Sequence, residues 1–361
     1  MELALYCPVY GYYEKEGDII GRAGDYFTSV SVGSLYGELL GWLFAEWHEP
    51  KKQEERGANF QTDAGLQLIE AGAHRGDLAN DILGWLSDNR PQLFERLEYW
   101  IVEPSLRRRQ WQAETLSGLG GKVRWVKEIA ELAPGDEKSC KRGAPSAASG
   151  RQPPRIIFCN ELLDSFPVHR LGWDLQTRTW FEWGVTRENG QFVWTRMPAT
   201  VGFAGCPPEL AEVLPEGFTI EVCPAAVQWW QQAASALQKG KLLAVDYGLT
   251  FEERFVPERT EGTLRAYRRH RLGADVLADP GDQDITAHID FTALQDAGEA
   301  IGLKTETFVT QTQFLTHALE QISNDPGGFG EWTGERRRQF QTLTHPDHLG
   351  RAFRVLVQTR E

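Results

Sequence analysis

The stretch Leu66-Gln67-Leu68-Ile69-Glu70-Ala71-Gly72-Ala73-His74-Arg75-Gly76-Asp77-Leu78 decides the fold. A short apolar run ends on an acid, glycines follow, and helical periodicity takes over from Leu78 to Leu86. That is the pattern of a strand turning into a helix. It returns downstream. Tyr99-Trp100-Ile101-Val102-Glu103 is a second strand, with a helix from Ser105 to about Leu116 behind it. Val123-Arg124-Trp125-Val126, Arg155-Ile156-Ile157-Phe158-Cys159 and Lys241-Leu242-Leu243-Ala244-Val245-Asp246 supply the third, fourth and fifth. Such alternation predicts an α/β fold, a mostly parallel sheet with helices on both faces.

Outward from this core, residues 1–33 read as loops and short turns. Ser34 to His48 reads as an amphipathic surface helix with Leu35, Leu39, Trp42 and Leu43 on one face. Residues 51–63 are a polar connection, and 133–154, loaded with Pro, Gly, Ser and basic residues, are a mobile surface loop. From Val168 to Thr195 the period shortens to two, and Phe218 to Val222 is a further short strand. Together they predict an antiparallel insertion near 168–222, punctuated by Gly172 and Asn189-Gly190. Helices follow from Pro224 to Leu237 and from Phe291 to Ile301, then the strand Thr305 to Val309. The chain divides on this reading into a cap segment and helix (1–60), a core (61–260), and a C-terminal part (261–361) completing the sheet and an added α+β lobe.

Composition narrows the function. The chain has 361 residues, with 51 acidic against 38 basic ones and a formal charge of −13, which disfavours a broad nucleic-acid-binding surface. Thirteen Trp among 11% aromatics argue for a sizeable packed core. The five cysteines (Cys7, Cys140, Cys159, Cys206, Cys223) form no C-x-x-C pair, and no signal peptide or apolar span of membrane length is visible. Reduced thiols in a cytoplasmic protein are the expectation. His345 and His348, without other spaced ligands, do not make a metal site.

The chemistry sits at the strand ends. Glu70, then Gly72 and Gly76 before a helix, let backbone N–H groups approach a bound cofactor, and Glu103 ending the second strand can hold ribose hydroxyls. Together they describe a nucleoside-binding crevice at the carboxyl edge of a parallel sheet. Asn160, Glu161 and Asp164, after the fourth strand, face the same crevice or cap a helix.

These residues, taken with Gly11-Tyr12-Tyr13, Gly24-Asp25-Tyr26-Phe27-Thr28-Ser29, Asp246-Tyr247-Gly248, Gly262-Thr263-Leu264-Arg265-Ala266-Tyr267, Pro280-Gly281, Asp284 to Phe291 and Gln311-Thr312-Gln313-Phe314-Leu315, occur in one order. In that order they resemble the MidA-like S-adenosylmethionine-dependent methyltransferases, relatives of the mitochondrial complex I assembly arginine methyltransferase. The likeness covers most of residues 1–316. It implies a class I methyltransferase (Rossmann-like) core with a substrate-covering lobe, S-adenosyl-L-methionine as cofactor, and a protein acceptor with arginine favoured. A respiratory-complex subunit enters as partner by resemblance only. Nucleic acid is not expected, and a homodimer is left open.

The resemblance also implies roles. Gly24, Asp25, Thr28 and Ser29 close over the cofactor, which Glu70, Gly72, Gly76, Glu103 and Asn160 bind. For an arginine acceptor the chemistry makes Asn160, Glu161 and Asp164 the first candidates to hold the guanidinium and take its proton, with Asp246 second and His288 either beside it or a structural histidine. Arg265, Tyr267 and His270 either line the access channel or form a basic surface strand. Two features depart from the family. It usually has a helical segment upstream of Met1, and a glycine where His74 stands, so the His74 side chain either points away from the cofactor or contacts it. The competing readings are a cofactor-binding assembly factor without turnover and an NAD(P)-dependent oxidoreductase. The second fits poorly, because Glu103 lies 103 − 76 = 27 residues beyond the last glycine instead of about 20.

Overall fold

The computed structural model describes residues 1–15, 28–49, 65–119, 121–133, 153–203, 206–268, 271–273, 275–324 and 328–361. The expected connection at 51–63 and most of the expected loop at 133–154 lie outside them. Its strands, numbered in chain order, are β1 Gln67–Ala71, β2 Glu98–Val102, β3 Val123–Val126, β4 Arg155–Asn160, β5 His169–Asp174, β6 Thr179–Glu188, β7 Gln191–Pro198, β8 Thr219–Val222, β9 Gly240–Leu249, β10 Arg265–Arg268, β11 Arg271–Leu272, β12 Asp284–Thr286, β13 Ile289–Asp290, β14 Lys304–Thr310 and β15 Phe353–Arg360.

The larger of two compact units comprises Thr28–Leu162, Trp229–Asp246 and Ala297–Glu361. Its sheet runs in the order β3-β2-β1-β4-β9-β15-β14. The five strands from β3 to β9 pair in parallel, and β14 pairs antiparallel with β15. Parallel strands covered on both faces read as unbroken apolar runs, and Leu68, Ile69, Ile101, Ile157, Phe158, Leu242 and Leu243 are accordingly buried. β1 is paired with β2 on one side and β4 on the other, so the chain leaves it in both directions across the sheet. The crevice outside the carboxyl ends of such a pair is where open α/β sheets bind ligands.

The helix Leu35–His48 departs from its expected place at the surface. Leu40, Phe44 and Ala45 are buried along with the expected face. Phe44 meets Phe158 of β4 at 5.0 Å between ring centroids. On its other side Gly37 and Gly41 let the helix Asp77–Asn89 come close: a Cβ on Gly37 would stand 2.5 Å from the Asp81 Cβ, and one on Gly41 3.2 Å from the Ile82 oxygen. Periodicity counts only strongly apolar side chains, so the glycine-lined face looked polar enough to be wet.

The smaller unit comprises Met1–Phe27, Leu163–Gln228 and Tyr247–Asp296. Here the expected antiparallel insertion is a four-stranded sheet in the order β7-β6-β5-β8, and a second sheet is ordered β11-β10-β12. Leu171, Trp173, Leu214, Phe218 and Ile220 form one core of this unit. Where residues 1–33 were expected to be loops and turns, Glu2–Tyr6 is a short helix, because Leu5 packs with Tyr12, Leu264 and Ile285. The units interleave along the chain instead of following the consecutive stretches 1–60, 61–260 and 261–361: the antiparallel insertion and the segment after β9 return to one core. Among the described residues no helix is long and apolar enough to cross a membrane.

The two glycine environments predict opposite responses to one methyl group. Gly37→Ala should lower the unfolding free energy by about 1–3 kcal/mol through overpacking, although Ala is the better helix former. Gly84→Ala, in the helix Asp77–Asn89 with nothing within 4 Å of the added carbon, should raise it by up to about 1 kcal/mol. Urea unfolding of the two variants checks both signs.

Candidate active site

The register of the larger sheet brings acids to one edge. Ala71 is level with Val102 and Cys159, and Asn160 with Val245. Gly72, Glu103 and Glu161 follow the ends of β1, β2 and β4, Asp246 within β9 is level with Glu161, and Glu70 lies two residues inside. Gly72 has φ +79° and Gly76 +89°, left-handed conformations that favour glycine. Gly76 opens the helix Asp77–Asn89 and has no side chain with which to cap it.

Glu70 is buried and accepts a 2.8 Å hydrogen bond from the Tyr99 hydroxyl. Burial pushes its pKa up to about 7 despite that bond, and Asp77 adds to the rise. Glu103 is equally buried, and its Oε1 accepts from the Ser105 backbone N–H and Arg108 Nε, each at 2.9 Å. Oε2 takes a single longer bond from Gln112 Nε2 at 3.3 Å. Gln112, fully buried, also donates to the His74 carbonyl and accepts from Trp125 Nε1. It ties the ends of β1, β2 and β3 to one another, and sequence reasoning passed over it as one more polar residue of a surface helix.

His74 has φ +45°, which explains why a glycine suits this position. Its half-buried ring is crowded by protein, with Arg75 and Arg108 near it. Burial first, and these two cations after it, bring its pKa down to about 4, so the ring is neutral at pH 7.

The end of β4 carries a continuous hydrogen-bond chain. The buried Tyr36 hydroxyl donates to Asn160 Oδ1 at 2.6 Å, Asn160 Nδ2 donates to Glu161 Oε1 at 3.1 Å, and the Ser29 backbone N–H donates to the same oxygen at 3.0 Å. Ser29 Oγ donates to Gln311 Oε1 at 3.1 Å. Ser29 and Gln311 are fully buried, and Thr28 nearly so. Glu161 has φ +52°, a strained conformation for a side chain of its size, and its N–H donates to the Val245 carbonyl. Asp246, fully buried, accepts from the Leu162 N–H at 3.1 Å. Tyr36 had no sequence signal beyond its place in the apolar helix, whereas Gln311 opens one of the motifs that carry the family resemblance.

The structure thus brings Thr28, Ser29, Glu70, Gly72, Gly76, Glu103, Asn160, Glu161 and Asp246 into the larger unit. Gly24, Asp25 and His270 lie outside the described residues. Asp164 and His288 belong to the smaller unit. Asp164 is buried there and its carbonyl accepts from the Ala287 N–H at 2.9 Å. The His288 ring stacks against Tyr247 at 6.4 Å and keeps an exposed edge. Enclosure by surrounding atoms, then Arg259 and Arg265, lowers its pKa to about 4. His345 and His348 have ring centroids 4.9 Å apart. Among the described residues no group of three or more His, Cys, Asp or Glu is placed to hold a metal ion.

Comparison with known proteins agrees with this geometry. The chain is 27% identical to the mitochondrial protein arginine methyltransferase NDUFAF7 of Danio rerio, covering 98% of this chain and 80% of that protein. It is 30% identical to the Xenopus tropicalis counterpart, covering 87% and 70%. A crystal structure from Burkholderia thailandensis bound to S-adenosyl-homocysteine superposes with a TM-score of 0.77 at 27% identity, covering 99% of this chain and 86% of that one. These likenesses support the methyltransferase reading over both the oxidoreductase and the factor without turnover. Residues 39–309 match the model of the family described as "Putative S-adenosyl-L-methionine-dependent methyltransferase", and the chain, with its class I fold and its row of acids at the carboxyl edge of the sheet, belongs to that family.

Proposed function

We propose that this S-adenosylmethionine-dependent methyltransferase acts on an arginine side chain of a protein, and that the carboxyl edge of β1, β2, β4 and β9 is its working face. The observation that carries the reading is the gathering of Glu70, Glu103, Asn160, Glu161 and Asp246 at that edge. Arginine as acceptor draws on the printed names of the relatives. Among acceptor proteins a respiratory-complex subunit comes first, on resemblance alone, and assembly as a homodimer stays part of the proposal. Those relatives are mitochondrial proteins, so a cytoplasmic placement rests on the sequence reading.

The residues fit the cofactor. The glycine turn keeps Cβ atoms away from the backbone N–H groups at the start of the helix Asp77–Asn89. Glu103 Oε2, with one long bond, retains acceptor capacity for ribose hydroxyls. On this reading Glu70 meets the cofactor's ammonium group or anchors the loop. Gly24, Asp25, Thr28 and Ser29 would close over it; of these, Ser29 has support from its bond to Glu161.

When bound, S-adenosylmethionine supplies a methyl group on a sulfonium, which the acceptor nitrogen must approach in line with water kept out. Glu161, its orientation fixed by Asn160 and Ser29, would pair with the planar guanidinium and present one of its nitrogens, whose lone pair becomes available as its proton is withdrawn. The proton lost goes to a carboxylate, Glu161 first and Asp246 next. Asp164 keeps its proposed role in holding the acceptor.

The decisive experiment supplies the protein with methyl-labelled cofactor and arginine-bearing peptides and analyses the hydrolysate. Labelled methylarginine is expected; label on lysine alone would overturn the acceptor. Glu103→Gln should weaken cofactor binding about 10–100-fold by calorimetry, the loss of one or two charge-assisted hydrogen bonds.

Tyr36→Phe deletes one hydroxyl and leaves the Asn160 amide free to turn. Turnover is expected to fall roughly threefold to thirtyfold, the size of one hydrogen bond, with the cofactor dissociation constant unchanged; titration against steady-state kinetics separates the two.

Glu70 gives a pH signature. Its folded pKa, near 7, lies above the unfolded value, so the folded state holds the extra proton and stability falls as pH rises from about 4.5 to 7. Glu70→Gln should flatten that part of the profile in urea unfolding across this window.

A further inference from the structure

The smaller unit contains a groove of about 660 Å³ that the reaction chemistry does not use. Its lining includes Arg170 on β5, Trp183 on β6, Trp194 on β7, Arg265 on β10, and Glu261 and Asp275 from connecting segments. This volume falls within the roughly 300–1,000 Å³ of ligand-binding clefts.

The charges sort themselves by partner. Arg170 is committed: it lies over the Trp194 ring at 4.8 Å, its Nε is 3.6 Å from Glu221 Oε1, and it donates to the Glu261 carbonyl at 2.8 Å. Arg265 is exposed and donates to the Leu264 carbonyl at 2.8 Å. Glu261 and Asp275 are both exposed, and neither carboxylate forms an ion pair among the described residues; Asp275 Oδ1 accepts from the Leu277 N–H. Arg170 has Glu221 as its near carboxylate and feels Glu261 as well, so Asp275 and the exposed side of Glu261 are left beside the exposed Arg265 in a groove flanked by two indole rings, on a chain of net charge −13. Indole faces and carboxylates together select planar cations. The wall already shows this preference, since Arg196 lies over Phe181 at 4.3 Å and over Trp183 at 5.7 Å.

We propose that this groove docks a basic, arginine-bearing segment of the acceptor protein, Glu261 and Asp275 pairing with its guanidinium groups beside the edges of Trp183 and Trp194 that Arg196 and Arg170 leave uncovered. The proposal rests on the arginine-acceptor reading and adds a recognition surface separate from the residues that bind the cofactor.

The test is fluorescence anisotropy of a labelled peptide of alternating arginine and glycine, without cofactor. It compares the full chain, the double variant Glu261→Gln/Asp275→Asn, and Glu103→Gln. The double variant keeps both side-chain shapes, including the Asp275 contact with Leu277, and circular dichroism verifies its fold. Saturable binding that weakens at least tenfold in the double variant, weakens further with salt and is unchanged in Glu103→Gln is the expected result. Absence of binding, equal binding by the double variant, or equally tight binding of a glutamate–glycine peptide would overturn the groove. Carboxylate-dependent binding that yields no methylarginine on adding cofactor would uphold the groove and overturn the acceptor reading. Methylation with the same KM in the wild type and the double variant would do the reverse.

Discussion

Carboxylates kept out of water at one sheet edge set the terms for the larger unit. Glu70, Glu103 and Asp246 are nearly or fully buried, and a buried polar group left without a hydrogen bond costs about 1–3 kcal/mol, more when charged. Each is met by a partner from a different element: Tyr99 of β2 for Glu70, Arg108 and Gln112 of the helix Leu106–Thr115 for Glu103, the Leu162 N–H for Asp246. The identity of those second residues follows from the acids, so the site and the fold share their constraints. Replacing an acid disturbs the elements that answer it as well as the ligand it would hold.

Strain concentrates at the same edge. Of the non-glycine residues at positive φ, His74 and Glu161 stand at the carboxyl ends of β1 and β4, the two strands on either side of the crevice. A left-handed residue is tolerated when its surroundings over-determine it. Glu161 meets that condition: its N–H is held by Val245, and its carboxylate by Ser29 and Asn160. His74 is held through its carbonyl by Gln112. The cost of these conformations is carried by neighbours whose own positions come from packing, Tyr36 against the sheet and Gln112 beneath Trp125. Preorganisation at this edge is a property of the second layer of side chains.

What could be read from the sequence follows from this division. The strands Gln67–Ala71, Glu98–Val102 and Arg155–Asn160 were legible because parallel strands buried on both faces leave apolar runs ending in polar residues. Glu70, Glu103 and Asn160 were legible as those endings. Tyr36 and Gln112 were not, and Gln311 was legible only as part of a family motif, because a polar side chain reveals its partner only after tertiary packing. β15 was missed for a different reason. Its segment Phe353-Arg354-Val355-Leu356-Val357-Gln358 mixes apolar and polar residues, and the buried Gln358 accepts from Trp230 and donates to Thr305. The interleaving of the two units escaped too, since contiguous text gives no sign that residues on either side of β4 and β9 return to one core.

The antiparallel lobe shows the same logic applied to cations. Its sheet presents Arg170 and Arg196 laid over Trp194, Phe181 and Trp183, an arrangement that satisfies the rings' negative faces and keeps the guanidinium edges available for carboxylates such as Glu221 and Glu216. A wall of this kind is apolar in area yet charged in character, which is why the period-two pattern of the sequence located the strands without revealing which face would be covered. Aromatic residues that would otherwise form an adhesive patch are screened by the lobe's own arginines. A ligand that settles there must offer either carboxylates to those arginines or cations to the acids beside them, and Glu261 and Asp275, which form no ion pair among the described residues, tip that choice toward a cation.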